Sequence, residues 1–147
     1  MPVAAEGGAA CPEPLPWPYS APVEPAILKG KNMSIQRIEV GPRMSQAVVH
    51  GDTVYLAGQV ANKPVPSVGK QTKQILAQID KLLKQAGSHK SKILSANIWL
   101  TDMRGFGQMN EAWEAWIPKG QTPARATVEA KLASPEYLVE IMLTAAI

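Results

Sequence analysis

The stretch Pro123-Ala124-Arg125-Ala126-Thr127-Val128-Glu129 sets an arginine inside a run of small and β-branched residues. A second strand-like run, Tyr137 to Ile147, carries Glu140 in an apolar context. Their composition predicts two strands, Ala124 to Lys131 and Tyr137 to Ile147, with Ser134-Pro135 between them. The first run reads as a buried strand. Burying a guanidinium or a carboxylate is costly unless each finds a partner. Arg125 and Glu140 therefore form either a functional pair or a structural ion pair inside one domain. Arginine's planar fork fits a carboxylate ligand, and a partly buried glutamate can exchange protons near neutral pH. Glu129 shares a strand side with Arg125 and Thr127, which makes it a candidate structural partner for the arginine.

Working back from these strands, Asp102 is placed to cap a helix over Arg104 to Ile117, closed by Pro118 and Gly120. Ile93 to Leu100 reads as a buried strand. Lys70 to Ala86 is a helix with Ile75, Ile79, Leu82, Leu83 and Ala86 at helical spacing, and Gly87 fits its stop position. Ala47 to His50, Gly51-Asp52 and Thr53 to Ala57 form a hairpin signal, preceded by a short strand at Ile35, Ile38 and Val40. The predicted order is β-β-β-α-β-α-β-β. Two helices among six strands cover only one face of a sheet this size. Tyr137, Val139, Ile141, Leu143 and Ala145 alternate with Leu138, Glu140, Met142 and Thr144, so both faces of the last strand are largely apolar. The second face is expected to be buried by another subunit, which implies a homo-oligomer with its site at a subunit boundary.

The chain has 147 residues, 46% hydrophobic and 18% charged, the composition of one folded domain with a sizeable core. The net charge of +3 is spread along the chain. Its densest basic stretch, Lys81 to Lys92, is interleaved with Leu82, Leu83, Ile93 and Leu94 and reads as the wet face of a helix and its exit, not a nucleic-acid footprint. No apolar run approaches membrane-spanning length. Cys11 is the lone cysteine, which excludes an intramolecular disulfide and fits a reducing, cytoplasmic setting. His50 and His89 lie far apart beside turn residues, with no ligand spacing that points to a metal site. Residues 1–32 form a Pro-rich extension in which Pro12, Pro14, Pro16 and Pro18 exclude helix, with no signal-peptide pattern. This arm is expected to be mobile, and the compact domain to span 33–147.

Ser45-Gln46-Ala47-Val48, Gly51-Asp52-Thr53-Val54-Tyr55-Leu56-Ala57-Gly58-Gln59, Asn110-Glu111-Ala112-Trp113 and the Pro123–Glu129 run together resemble the Rid/YjgF reactive-intermediate deaminases, in the right order over about residues 34 to 147. The resemblance implies an α+β, chorismate-mutase-like fold: a six-stranded mixed sheet with two helices on one face, assembled as a homotrimer with ligand clefts between subunits. It implies hydrolysis of small 2-imino or enamine acids to 2-keto acids and ammonia, with no cofactor. Arg125 matches the family's carboxylate-binding arginine and Glu140 the glutamate that positions or deprotonates water. Gly58 matches a ligand-contacting glycine, Thr127 a site where the backbone contributes, and Asn110 an orienting asparagine. Two departures stand out. No tyrosine follows Gly41-Pro42, and Ala57 replaces a serine common before the Gly-Gln pair. Losing two hydroxyls weakens polar steering, so the alternative is a module that binds a small carboxylic acid without turnover.

Overall fold

The computed structural model describes residues 33–147; the extension expected over 1–32 lies outside the described residues. Strands β1 (Ile35–Val40), β2 (Ser45–His50) and β3 (Thr53–Leu56) precede helix α1 (Val68–Gln85). Strand β4 (Ile93–Leu100), helix α2 (Phe106–Trp116), β5 (Ala124–Glu129) and β6 (Val139–Ala146) follow. The six strands make one sheet in the order β1-β2-β3-β6-β4-β5. Only β4 and β5 run parallel, joined by the α2 crossover. The mixed sheet and its two helices match the expected architecture.

The β2–β3 turn works because Gly51 takes φ +60, a region that side chains disfavour. Ser67 caps α1 by accepting the Lys70 N–H, and Gly87, at φ +79, lets the chain leave it. Ile75, Leu76, Ile79, Leu82 and Leu83 of α1 and Met109 and Trp113 of α2 bury against one face of the sheet. That face offers Val54 and Leu56, Ala96, Ile98 and Leu100, and Val139, Ile141, Leu143 and Ala145. Period-two alternation sends the intervening residues to the other face, which no helix among the described residues covers. There Tyr55 is 50% exposed, Val128 49% and Met142 38%, an apolar surface on a single chain.

Three differences from expectation have a physical reason. The last strand begins at Val139, not Tyr137, because the Leu138 N–H is taken by the Gln71 side chain. Helix α2 begins at Phe106; Asp102 instead caps the 3-10 turn Met103–Gly105 that leads into it. Hydrogen bonds from Arg104 lower the Asp102 carboxyl to about 2, so the cap is ionised at neutral pH. The third difference matters most. β5 is an edge strand, hydrogen-bonded on one side only, and its side chains are exposed or half-exposed, so Arg125 is not buried in a single chain. Among the described residues no helix is long and apolar enough to cross a membrane.

Gln71 is fully buried and ties two loops to α1. Its amide nitrogen donates to Val65 O at 2.8 Å and Glu136 O at 2.9 Å, and its oxygen accepts the Leu138 N–H at 3.0 Å. Gln71→Ala strands all three backbone groups, so we predict a loss of about 3 kcal/mol in urea unfolding. A loss under about 0.5 kcal/mol, the level of an ordinary surface substitution, would show that the latch is dispensable.

Candidate functional site

The β4–α2–β5 crossover builds the first half of the site. Ala96 and Ile98 are buried beneath the helices, and the parallel register pairs them with Arg125 and Thr127. Those two side chains therefore lie on the helix-covered face, at its rim. Asn110, half-buried on α2, accepts a hydrogen bond from Arg125 Nη2 at 2.9 Å. The guanidinium stands 5.4 Å from the ring centroid of Trp113, one turn further along α2. Thr127 adds a buried hydroxyl that makes no hydrogen bond. Among the described residues the ion pairs are Lys81–Glu39 and Arg104–Asp102, and Arg125 joins no carboxylate. Glu129, the candidate partner, instead accepts the Met103 N–H at 3.0 Å. Arg125 is thus held by an amide and an indole, which orient a guanidinium without neutralising it.

The second half lies on the uncovered face. Glu140 on β6 pairs in register with Trp99 on β4, one residue out of phase with the buried Ile98 and Leu100. A half-buried Glu140 lines a cavity of about 210 Å³ with Trp99, Ala130, Lys131 and Leu132. Gly58 sits against it: a Cβ there would stand 1.9 Å from the Glu140 Oε1. The close approach expected at this glycine is thus made by Glu140 itself. A short bridge sets the spacing, with Gln59 N donating to Ile141 O at 2.8 Å and Ile141 N to Gln59 O at 3.0 Å.

The structure therefore brings Arg125, Asn110 and Thr127 together, and separately Gly58 and Glu140. It does not bring the two groups together. They occupy opposite faces, on strands two apart in the sheet order, which is about 10 Å sideways before the sheet thickness is added. Within one chain the sheet lies between the Arg125 group and Glu140. Trp113, Trp99 and Lys131 were not read as site residues. Only Trp113 had a signal, its spacing of three from Asn110 on one helix face. Among the described residues no group of three His, Cys, Asp or Glu side chains is placed to hold a metal.

The family model described as endoribonuclease L-PSP matches residues 34–147. The chain belongs to this family, the Rid/YjgF proteins. A RutC family protein of Haemophilus influenzae is 46% identical over 114 residues, covering 77% of this chain and 98% of its own. The RutC family protein YoaB of Escherichia coli is 44% identical over 115 residues, covering 78% of this chain and 100% of its own. A solved YjgF-family structure from Neisseria meningitidis has a TM-score of 0.76 at 44% identity, over 78% of this chain and 95% of that one. The matched region is the folded domain that carries both half-sites.

Gly58 does not use a left-handed backbone, so alanine is compatible with its chain path. The side chain it would displace is the mobile end of Glu140. Gly58→Ala should therefore fold, with stability changed by less than about 1 kcal/mol, while the Glu140 carboxylate swings out of its cavity. A crystal structure of the variant checks this; an unmoved carboxylate would contradict it.

Proposed function

We propose that this protein hydrolyses small 2-imino acids, and their enamine tautomers, to 2-keto acids and ammonia, in a cleft formed between two copies of the chain. The observation that carries the proposal is the seat of Arg125, a guanidinium oriented by Asn110 and Trp113 and joined to no carboxylate among the described residues. Such a group suits one substrate carboxylate, gripped through two parallel N–H···O contacts. The separation of Arg125 from Glu140 supports a two-copy cleft, in which Arg125 of one protomer meets Glu140 of its neighbour. The apolar surface around Tyr55, Val128 and Met142 gives the copies a face to bury, in keeping with a homotrimer.

The chemistry needs no electron sink, because an imine carbon is already electrophilic. Arg125 fixes the carboxylate and with it the imine carbon. Glu140 takes a proton from water as its oxygen bonds to that carbon, giving a carbinolamine. Glu140 returns that proton to the imine nitrogen and then carries the carbinolamine's hydroxyl proton to the same nitrogen, so the C–N bond breaks and ammonia leaves as the carbonyl forms. An enamine is first protonated on carbon. Water and imine are consumed in equal number and the carboxylate is unchanged. Trp99 and Leu132 beside Glu140 offer an apolar wall to the substrate's side chain. The cytoplasm, where such intermediates escape from amino-acid enzymes, is the setting we propose.

The second reading, binding without turnover, is favoured by Ala57 and by the missing tyrosine after Pro42. A single seated guanidinium serves both readings equally. Neither calls for nucleic acid: the two half-sites present Arg125 and Lys131, where an RNA backbone needs a row of cations.

To decide, an amino-acid oxidase generates 2-imino acids in place and ketoacid release is followed. We predict that wild type accelerates release, that Arg125→Ala lowers kcat/KM by about a hundredfold or more, and that Arg125→Lys restores little of it. Arg125→Ala with wild-type turnover would remove the role assigned to that residue. Ligand affinity with no turnover would favour the binding reading.

A further inference from the structure

A second polar cavity of about 210 Å³ lies on the opposite side of Gln59, between the first hairpin and α1. Its walls are Glu39, Lys81, Leu82 and four amides, Gln46, Gln59, Asn62 and Gln78. Glu39 has φ +50, the one described non-glycine residue with positive φ. The ladder registers Ile38 with Ala47 and Val40 with Ser45 on either side of it. Two α1 donors meet its Oε1 there, Lys81 Nζ at 3.0 Å and Gln85 Nε2 at 3.1 Å. An exposed ion pair adds too little stability to offset a left-handed backbone at a non-glycine residue. Strain of this kind gathers at ligand sites.

We propose that this cavity binds a small zwitterion, an α-amino acid with a polar side chain. An anion alone would be repelled by Glu39 and a cation alone by Lys81. A molecule carrying both charges can set its ammonium on Oε2 of Glu39, which neither α1 donor contacts, and its carboxylate on a second N–H of Lys81. With Gln59 Nε2 given to Gln46 Oε1 and Ala57 O, and Gln78 Nε2 to Val60 O, the Gln46 amide nitrogen and Asn62 can donate to a polar side chain, and the Gln59 and Gln78 amide oxygens can accept from it. The volume holds roughly seven waters, enough for a small amino acid. Gln59 is 5% exposed and links this cavity to the other face. Its amide nitrogen donates to Gln46 Oε1 at 2.9 Å and Ala57 O at 3.1 Å, while its backbone pairs with Ile141, beside Glu140. A ligand that pulls on Gln59 shifts Gly58 and the Glu140 carboxylate packed on it. This coupling rests on the deaminase reading; the binding does not.

The test is calorimetric titration of the purified full chain with each of the common amino acids, which needs no turnover. Wild type should bind at least one polar amino acid at millimolar concentration or below. Arg125→Ala should bind it with the same Kd, while Lys81→Met and Glu39→Gln each weaken it by about tenfold or more. Both positions are exposed, and thermal melts confirm that the two variants fold. Binding that is lost in Arg125→Ala and unchanged in Lys81→Met would put the amino acid in the reaction cleft and overturn the proposal. So would the absence of binding by every amino acid tested. Ketoacid release is scored separately, so a failed deaminase reading leaves the binding result intact.

Discussion

A β-sheet sends successive side chains to opposite faces, and the rest of this molecule's design follows from where that alternation puts two residues. Arg125 shares its face with Ala96 and Ile98 beneath the helices, whereas Glu140 shares its face with Trp99 on the side no helix covers. Slipping either strand by one residue would bury a charge in the core or expose Ile141 and Leu143, so the register is fixed by hydrophobic burial. The same burial that folds the chain keeps its two charged candidates apart. In the function we propose, a second copy brings the two together, and the apolar face left open by the two helices is the one it would bury.

Each half is set by neighbours that take no part in the chemistry. Asn110 and Trp113 lie one turn apart on α2, and the crossover from β4 to β5 places that turn beside the edge strand. Glu140 depends on Gly58 lacking a side chain and on the Gln59–Ile141 bridge that sets their spacing. Gln71 pins the start of β6 through Leu138, two residues before Glu140. A misplacement of a charged group by about an ångström is enough to cost a catalyst much of its rate.

Much of this was legible in the sequence. The Gly51-Asp52 turn, the spacing from Ile75 to Leu83 and the alternation from Ile93 to Leu100 placed three strands, a helix and their faces within a residue or two. β5 was misread as buried. Ala, Thr and Val suit an edge strand as well as a central one, and strand order depends on long-range pairing that composition does not record. The Arg125–Asn110 contact spans 15 residues, too far for any periodicity to reveal. Motif resemblance marked both residues, Arg125 for a substrate carboxylate and Asn110 as an orienting residue, but not the bond between them. Gly58 was marked as a place of close approach, but that Glu140 fills the space emerges only from the coordinates.

In the proposed enzyme, one catalytic cleft draws Arg125 and Glu140 from different copies. Co-expression of Arg125→Ala chains with Glu140→Gln chains, distinguished by two affinity tags, yields mixed oligomers whose ketoacid release can be compared with each parent. If the cleft spans two copies, the mixed oligomers contain some sites with both groups intact, and activity rises well above that of either inactive parent. Verified mixed oligomers no more active than their parents would rule out a cleft shared between copies.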